Sequence, residues 1–464
     1  MNFRHGLALA GLALACAAAS PAPAGNYAVV VSKPTFDDPA WQKVVKALKR
    51  KHQAAVIQYA GSVAGSRDDL AKAFPRYACF VATPEEAGRS FVVAVHRLTR
   101  ALDADPYTDV FWGILTGYDA ADALRIAAYE KPLLITRGAA GTSLDLDAFE
   151  QGMWFSEGER GAMFVKRPGA AGKQKCDDDA TGQIVDMLNG FRPQLFLTSG
   201  HATTRDWQIG YSFRGGQLRC RDGQLYGLSL DRRELPVDSP EPKVYMPCGN
   251  CLIGGIPDRQ CMALAWMHSG GVYQMFGYTV STFFGYAGWG IRDYFIGQAG
   301  RYTLAEAFVA NDLALVHELQ TRFPGTAGAN IDRFDLERDP TLVNRLAQEH
   351  GLKERDELGL LWDRDTVAFY GDPAWEARLA PRRNPAWRQS LTASNGEFRL
   401  ELATLAGAGW GGRPVVQFLP RRVSSVKLIE GEALKPVIAD NFILVPMKGA
   451  FETGQVYTIR FTAR

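Results

Sequence analysis

The chain is short of net charge, of cysteine and, beyond its N-terminus, of long apolar runs. Its 464 residues carry 52 Lys and Arg against 50 Asp and Glu, so the net charge is +2. That balance gives no general attraction to nucleic acid or to an anionic membrane surface. Seven cysteines are few for a chain that is long enough to form two or three cores without disulfides. The 47% apolar and 22% charged fractions are typical of a globular protein.

The first 24 residues predict an export signal. A basic N-terminus precedes an apolar stretch at residues 7–19 that is too short to span a bilayer, and Ala22-Pro23-Ala24 offers a small-residue cleavage site. The segment that ends at Cys16 also resembles a bacterial lipoprotein signal, in which the cysteine becomes the lipidated first residue. We therefore expect an exported protein that is secreted, periplasmic or held at the outer membrane by a lipid on Cys16. The sequence leaves simple cleavage and lipidation open.

Beyond the signal, short apolar or β-branched runs alternate with helical segments in two stretches of the chain, residues 25–137 and 138–380. This alternation predicts an α/β fold with mostly parallel sheets flanked by helices, in two α/β subdomains. Apolar runs at residues 360–362 and 367–369 are interpreted as closing strands of the second subdomain.

A third module is predicted after a linker rich in Pro and Arg at residues 381–385. In residues 386–464, Phe398, Leu400 and Leu402 alternate with charged residues, and the same alternation recurs near the C-terminus. Short alternating strands with Gly and Pro between them predict an antiparallel β-sandwich.

Two short segments about fifty positions apart carry most of the functional information. Each is an apolar run that stops at a reactive side chain among small residues: residues 195–202 reach His201, and residues 244–255 reach Cys251. A His about fifty residues before a Cys is a spacing used by one group of cysteine proteases. We therefore expect two buried strands that deliver an imidazole and a thiol to the same edge of a sheet.

A thiol that hydrolyses an amide needs a proton donor for the leaving amine and hydrogen-bond donors for the oxyanion. His201 would hold Cys251 as a thiolate and then protonate the leaving nitrogen. The backbone N–H groups of Cys251 and of Gly200 or Ala202 are the natural oxyanion-hole candidates. A third group that orients His201 is expected, and Glu157, Glu159 and Asp206 are candidates that the sequence does not rank.

These segments resemble the gingipain-type family of cysteine peptidases, whose catalytic core is caspase-like. The resemblance covers roughly residues 27–464 and is strongest over 194–290. Its matching features are Ser199-Gly200-His201 followed by Trp207, the apolar strand into Gly249-Asn250-Cys251, Ala263-Leu264-Ala265, the Gly-rich strand at residues 270–277, and Tyr370-Gly371-Asp372-Pro373.

The resemblance implies a caspase-like fold followed by an Ig-like β-sandwich, and an endopeptidase with Cys251 and His201 as its dyad. Polypeptides would be the substrates, and no cofactor is required. Gly200, Ala202 and Asn250 would help bind the oxyanion or the substrate. Ala202 departs from the family, which usually has Gly there, and its methyl narrows the approach of the substrate.

The segment after the strand at residues 271–277 helps to form the primary specificity pocket in such enzymes. Here it contains Tyr278, Thr279 and Trp289 and no obvious charge, so specificity for basic residues is not supported.

Other interpretations of the same residues stay open. Cys248 and Cys251 could form a redox dithiol or, with Cys261 and His268, a zinc site. Cys248 could also replace Cys251 as the nucleophile, or the site could be dead and the protein a surface binding or scaffold protein. Two further readings concern other residues: Cys176 and Cys220 could form a disulfide, and the acidic run at residues 177–179 could hold a structural calcium ion or cap a helix.

Overall fold

The computed structural model describes residues 26–336, 338–381, 385–405, 412–446 and 452–464. The predicted export signal, the candidate lipidation site Cys16 and most of the predicted linker lie outside the described residues. The described helices are α1 Lys33–Asp37, α2 Pro39–His52, α3 Arg67–Ala73, α4 Arg89–Thr99, α5 Ala120–Ala128, α6 Thr181–Asp186, α7 Met262–His268, α8 Tyr286–Phe295, α9 Leu304–Arg322, α10 Leu342–Glu349 and α11 Arg355–Arg364.

The strands follow the predicted alternation over most of the chain. They are β1 Tyr27–Ser32, β2 Ala55–Tyr59, β3 Tyr77–Val81, β4 Phe111–Leu115, β5 Leu133–Ile135, β6 Arg137–Ala140, β7 Gln151–Phe155, β8 Ala162–Arg167, β9 Ala170–Lys175, β10 Leu195–Thr198, β11 Asp206–Gln208, β12 Gln217–Arg221, β13 Gln224–Leu228, β14 Glu234–Pro236, β15 Lys243–Pro247, β16 Val272–Tyr278, β17 Val367–Gly371, β18 Ala377–Leu379, β19 Trp387–Ser394, β20 Glu397–Thr404, β21 Val415–Phe418, β22 Lys427–Glu430, β23 Val437–Ile438, β24 Phe442–Val445 and β25 Val456–Thr462.

One sheet of twelve strands runs through both predicted α/β halves, in the order β2-β1-β3-β4-β17-β16-β15-β10-β6-β7-β8-β9. Strands β1, β10, β15, β16 and β17 are buried along their whole length, as expected for apolar runs that are covered by helices on both faces. The sheet is mostly parallel, as predicted. We expected separate sheets in the two halves. Instead β17 joins them, because it pairs antiparallel with β16 and also contacts β4.

One of the two predicted closing strands is confirmed and the other is wrong. Residues 367–369 lie in β17, whereas residues 360–362 lie in the helix α11. A short apolar run does not distinguish a buried strand from a buried helix. The carboxylates of Asp356 and Glu357 in the first turn of α11 favour the helix, because they lie at the positive end of its dipole.

The residues between β10 and β15 form a small antiparallel sheet, in the order β11-β12-β13-β14. The strands that lead to His201 and Cys251 are therefore far apart in the sequence, with this small sheet between them, but they are neighbours in the central sheet.

The C-terminal residues form antiparallel sheets, as their alternation predicts. Four strands pair in the order β19-β20-β25-β22 and three in the order β21-β24-β23. Phe398, Leu400 and Leu402 on β20 are buried in one apolar cluster with Ile443 and Val445 on β24. The two sheets therefore share a core.

None of the described helices is both long and apolar enough to cross a bilayer.

Candidate active site

The strands that lead to His201 and Cys251 are neighbours in the central sheet and run parallel. Leu195 in β10 pairs with Val244 in β15, and the pairing continues to the ends of both strands. The Cys248 N–H extends it by donating to the Thr198 carbonyl at 2.9 Å. Because the carboxyl ends of neighbouring parallel strands meet at one edge of a sheet, His201 and Cys251 both follow strand ends at that edge.

Asn250 ties these two strand ends together. Its side chain is fully buried, and its amide N–H donates to the Gly200 carbonyl at 3.0 Å. The Thr198 hydroxyl donates to the Asn250 Oδ1 at 2.7 Å and lies 2.9 Å from the Tyr245 hydroxyl. The residue before the thiol thus fixes the turn before the imidazole. Asn250 was expected at the oxyanion or the substrate, but its side chain is committed to this internal contact.

The backbone around His201 is fixed on either side of Gly200 as well. The Ser199 carbonyl accepts from the Trp207 indole N–H at 2.8 Å, and the His201 carbonyl accepts from the Gln208 N–H at 2.9 Å. Gly200 has a φ of 88°, a left-handed conformation that favours glycine. These bonds hold the imidazole on a turn of defined geometry, and Ala202 and Trp207 form a bridge that closes it.

The His201 ring is exposed and stacks on Tyr211. Their ring centroids lie 4.9 Å apart with an interplanar angle of 15°. The N–H groups of Tyr211 and Ser212 both donate to the Glu157 carbonyl, at 2.8 and 3.1 Å, and the Ser199 hydroxyl donates to the Glu157 carboxylate. Glu157 is therefore bonded to both the turn and the loop that flank the imidazole.

The other two candidates for an orienting group have different surroundings. Glu159 is exposed and paired with Lys173 at 2.6 Å. Asp206 lies at the start of β11. The contacts with the imidazole turn therefore favour Glu157.

Cys251 is half-buried, and its Sγ accepts a hydrogen bond from the Thr282 N–H at 3.3 Å. The next residue, Leu252, has a φ of 61°, which is uncommon for a residue with a branched side chain. Its N–H donates to the Val280 carbonyl at 2.9 Å, and the Gly254 N–H donates to the Tyr278 carbonyl at the same distance. The turn that follows the thiol therefore contains a strained residue and is held by hydrogen bonds to another segment. Such strained turns are common at active sites.

The segments that follow His201 and Cys251 also contact each other. The Arg205 guanidinium forms two bonds with the Asp258 carboxylate, at 2.7 and 2.6 Å. The Met262 N–H donates to the Thr204 carbonyl at 2.8 Å. The two loops at this edge of the sheet therefore form one connected surface.

Of Tyr278, Thr279 and Trp289, the three residues named for the specificity pocket, only Trp289 is accessible. A Cβ atom on Gly249 would lie 3.3 Å from the Trp289 indole nitrogen, so this side chain covers the backbone just before Cys251. Tyr278 is fully buried, and its hydroxyl donates to Asp363 at 2.9 Å. Thr279 is 2% exposed and donates to the Thr366 carbonyl. Burial keeps Tyr278 and Thr279 behind the surface that a substrate could touch.

Cys248 is unsuited to be a second reactive thiol. It is fully buried, and this burial raises its pKa well above the ordinary value. A buried thiol of raised pKa is neither nucleophilic nor exchangeable with solvent thiols. The burial of Cys248 therefore argues against a redox dithiol of Cys248 and Cys251, and against Cys248 as the nucleophile.

The structure also gives no support to a zinc site at Cys248, Cys251, Cys261 and His268 or to a disulfide between Cys176 and Cys220. Cys261 is buried with its pKa raised to about 12 by burial, and the His268 ring is hydrogen-bonded to Asp122 at 2.8 Å. Cys176 and Cys220 are free thiols, so the predicted disulfide between them is wrong.

In the acidic run at residues 177–179, the Asp179 side chain accepts hydrogen bonds from backbone N–H groups. The Asp179 carboxylate accepts from the Thr181 and Leu230 N–H groups, at 3.1 and 2.6 Å. Among the described residues, the carboxylates close enough to share an ion are those of Asp103, Asp105 and Asp109 instead.

A cavity of about 550 Å³ opens beside the imidazole. Its lining residues are His201, Ala202, Thr203, Asp206, Gln208, Tyr211, Ser212, Phe213, Arg214 and Gln217. A larger cavity, of about 910 Å³, lies between the C-terminal sheets and the segment that joins α8 to α9, and neither His201 nor Cys251 lines it.

Sequence reasoning missed Tyr211 and the tie through Asn250. A sequence signal for Tyr211 is that it follows Gly210 in a connecting segment, here the loop between β11 and β12, and loops often carry binding residues. The role of Asn250 had no such signal, because its partners come from the other strand.

No protein-family model matches this chain, and no curated protein matches it. The functional assignment therefore rests on the geometry of the site.

Proposed function

We propose that the protein is an exported cysteine endopeptidase that uses Cys251 as its nucleophile and His201 as its general acid and base. The observation that carries the proposal is the parallel pairing of β10 with β15, which brings the residues after both strands to one edge of the sheet. The exposed imidazole, the half-buried thiol and the buried Asn250 tie between their turns support it.

In the proposed reaction the imidazole accepts the thiol proton, and the Cys251 thiolate attacks the scissile carbonyl carbon. The C–N bond then breaks as the imidazolium gives its proton to the leaving amine. Water, deprotonated by the imidazole, hydrolyses the thioester and releases the second product as a carboxylic acid, with the thiol restored. Every proton passes through His201, so its removal stops both halves of the cycle.

The oxyanion needs donors beside the attacked carbonyl, and backbone N–H groups of the two turns can supply them. Gly200, Ala202 and Cys251 are the residues proposed to contribute. We assign the orienting role to Glu157, which is bonded to the turn before the imidazole through Ser199 and to the loop of Tyr211. Trp289 is proposed to wall the primary specificity pocket.

The finer fold assignments are part of the same proposal. The α/β half is proposed to be caspase-like of the gingipain type, which its parallel sheet with the dyad at the strand ends supports. The C-terminal sheets are proposed to be an Ig-like sandwich, which their antiparallel pairing and shared core support. Export, with or without lipid on Cys16, is proposed because the N-terminal sequence resembles a signal peptide.

The test is covalent labelling of the thiol. Wild-type protein is treated with a peptidyl acyloxymethyl ketone, and the modified residue is located by mass spectrometry. We expect labelling at Cys251 and its loss, by at least tenfold, in His201→Ala, because the neutral thiol reacts slowly without the imidazole. Cys176→Ser is the matched control and should label as wild type does. A fluorescence-quenched peptide library should be cleaved by wild type and not by Cys251→Ala.

Equal and slow modification of Cys251 in wild type and in His201→Ala, with no peptide cleaved, contradicts the proposal. That result would favour a binding or scaffold protein on the same fold.

A further inference from the structure

The cavity beside the imidazole lies on one side of the dyad. Its lining includes His201 and Ala202, whereas Cys251, Gly249 and Trp289 are not among its lining residues. Trp289 covers the backbone before the thiol instead. The proposed site thus has an imidazole side, with a cavity of about 550 Å³, and a thiol side, walled by Trp289.

The chemistry assigns the imidazole side to one half of the substrate. The thiolate bonds to the acyl carbon and keeps the acyl half of the peptide, whereas the imidazolium must reach the nitrogen that leaves. The leaving amine and the residues attached to it therefore lie next to the imidazole. A cavity that the imidazole itself lines is in position to receive those residues.

The walls of this cavity are well supported by the rest of the protein. The loop that carries Tyr211 is closed at its base, where the Gly215 N–H donates to the Ile209 carbonyl at 2.8 Å. The Gln208 side chain donates to the Gly210 carbonyl at 3.0 Å. The Arg160 guanidinium lies 5.0 Å from the Phe213 ring centre. A pre-formed wall of this kind costs a ligand little ordering entropy.

The lining also offers charge that the protein does not use. Within the described residues, neither Arg214 nor Asp206 has a side-chain ion pair or hydrogen bond, although other surface arginines such as Arg205 and Arg221 are paired. Arg214 is exposed at the cavity and can pair with a carboxylate brought by a ligand.

We propose that this cavity is the subsite for the residues that follow the scissile bond, and that Arg214 shifts its preference toward acidic side chains, against the opposite effect of Asp206 in the same lining. This inference rests on the proposed peptidase function and extends it by giving the enzyme a preference on the leaving-group side.

The experiment uses pairs of fluorescence-quenched peptides built on a sequence that the wild type cleaves. Each peptide is amidated at its C-terminus, which removes the terminal carboxylate as a competing source of charge. One pair carries Glu or Lys after the scissile bond. The second pair carries Glu or Lys before the residue whose carbonyl carbon is attacked. The ratio of kcat/KM for the Glu and Lys peptides is measured for wild type, Arg214→Glu and the control Arg167→Glu, whose arginine is exposed elsewhere.

We expect Arg214→Glu to lower the Glu-to-Lys ratio about three- to tenfold for the exchange after the bond, the size expected for exposed ion pairs. The ratio for the exchange before the bond should stay within twofold, and Arg167→Glu should change neither ratio. Raising the salt concentration should shrink the difference in this ratio between wild type and Arg214→Glu, since the Arg214 side chain is exposed to solvent.

Two other results overturn the inference. An unchanged ratio in Arg214→Glu, with Cys251 active, means that the cavity does not receive the leaving-group side. An equal change in both peptide pairs means that Arg214 acts through the general field of the protein. Failure of the wild type to cleave any peptide, together with unlabelled Cys251, instead overturns the peptidase proposal itself.

Discussion

At the scale of single residues, the proposed site depends on how firmly two turns are held together. Asn250, in the turn that leads to Cys251, bonds the Gly200 carbonyl and the Thr198 hydroxyl just before His201. A misplacement of about 1 Å between catalytic groups can cost about a hundredfold in rate. The tie should therefore matter more to reactivity than its single hydrogen bond to Gly200 suggests.

We predict that Asn250→Ala lowers both stability and thiol reactivity. The substitution leaves the Gly200 carbonyl without its partner and the Thr198 hydroxyl with Tyr245 alone, and a buried group that loses its partner costs about 1–3 kcal/mol. Urea unfolding and the alkylation rate of Cys251 are the two measurements. Asn344→Ala, on the exposed face of α10, is the control and should change neither. A loss of stability with an unchanged alkylation rate would mean that Asn250 does not position the dyad.

At this scale the sequence predicted which strands lead to His201 and Cys251, but only part of what surrounds these two residues. Two apolar runs that end in small residues were enough to place His201 and Cys251 after buried strands, because continuous apolar runs form the covered strands of an α/β sheet. The sequence did not tell which side chains of the next segment point outward. Tyr278 and Thr279 were expected in the pocket and are buried, since β16 is covered on both faces up to its end.

At the scale of elements, the end of β16, the start of α8 and the end of α11 meet on one buried carboxyl group. Asp363 accepts hydrogen bonds from the Tyr278 hydroxyl and the Ala287 N–H, both at 2.9 Å. Burial raises the pKa of Asp363 to about 7. Helix α8 carries Trp289, so this carboxyl group lies under one wall of the proposed site.

The raised pKa predicts that stability falls as pH rises through a defined window. Unfolded Asp363 loses its proton near pH 4, whereas the folded protein keeps it to about pH 7. At this group the folded state therefore binds more protons in this range, so the contribution of Asp363 to stability decreases from pH 4 to pH 7 and then levels off. Asp363→Asn keeps an oxygen acceptor and does not titrate, so it should remove this part of the pH dependence.

Urea unfolding at pH 5 and pH 8 checks this prediction. The loss between the two pH values should be smaller in Asp363→Asn than in wild type, by a few kcal/mol at most. Asp178→Asn, on an exposed carboxylate, should behave as wild type. An identical loss in Asp363→Asn and wild type would show that Asp363 is ionised in the folded protein at both pH values.

Elements were predictable where the pattern was long and less so where it was short. Residues 398–402 alternate over enough positions to specify a strand with one buried face, and β20 has that burial. The three residues at 360–362 fit a strand or a helix equally well, and the carboxylates in the first turn of α11 favour the helix. The joining of both halves into one sheet could not be predicted, because it depends on β17 pairing far from its sequence neighbours.

At the scale of the whole molecule, the C-terminal sheets are packed against the α/β half as a layer. Alternate residues of β24 face opposite ways: Phe442 and Leu444 belong to the large α/β core, whereas Ile443 and Val445 belong to the core between the two C-terminal sheets. Hydrogen bonds also cross between the two parts, and the Tyr294 hydroxyl donates to the Pro414 carbonyl at 2.6 Å. The three-stranded sheet is therefore covered on both faces.

This layering predicts that the α/β half needs the C-terminal sheets. A chain that ends at Ala380 would expose the core surface that Phe442 and Leu444 cover, including the Tyr107 ring that packs 5.1 Å from the Phe442 ring. We expect this truncation to lower the soluble yield and the Tm, because exposed apolar surface of that kind favours aggregation. The measurements are soluble yield, thermal unfolding and labelling of Cys251.

A point variant keeps the prediction testable if the truncated chain does not fold. Phe442→Ala removes a buried ring from the boundary and should cost about 3–5 kcal/mol. Because Tyr107 lies just before β4, the loss should appear in the α/β half, as faster hydrogen exchange of β3 and β4 amides. A truncated chain with the Tm of the full protein, or a Phe442→Ala effect confined to the C-terminal sheets, would mean that the two parts fold independently. The proposed site would then not depend on the C-terminal sheets.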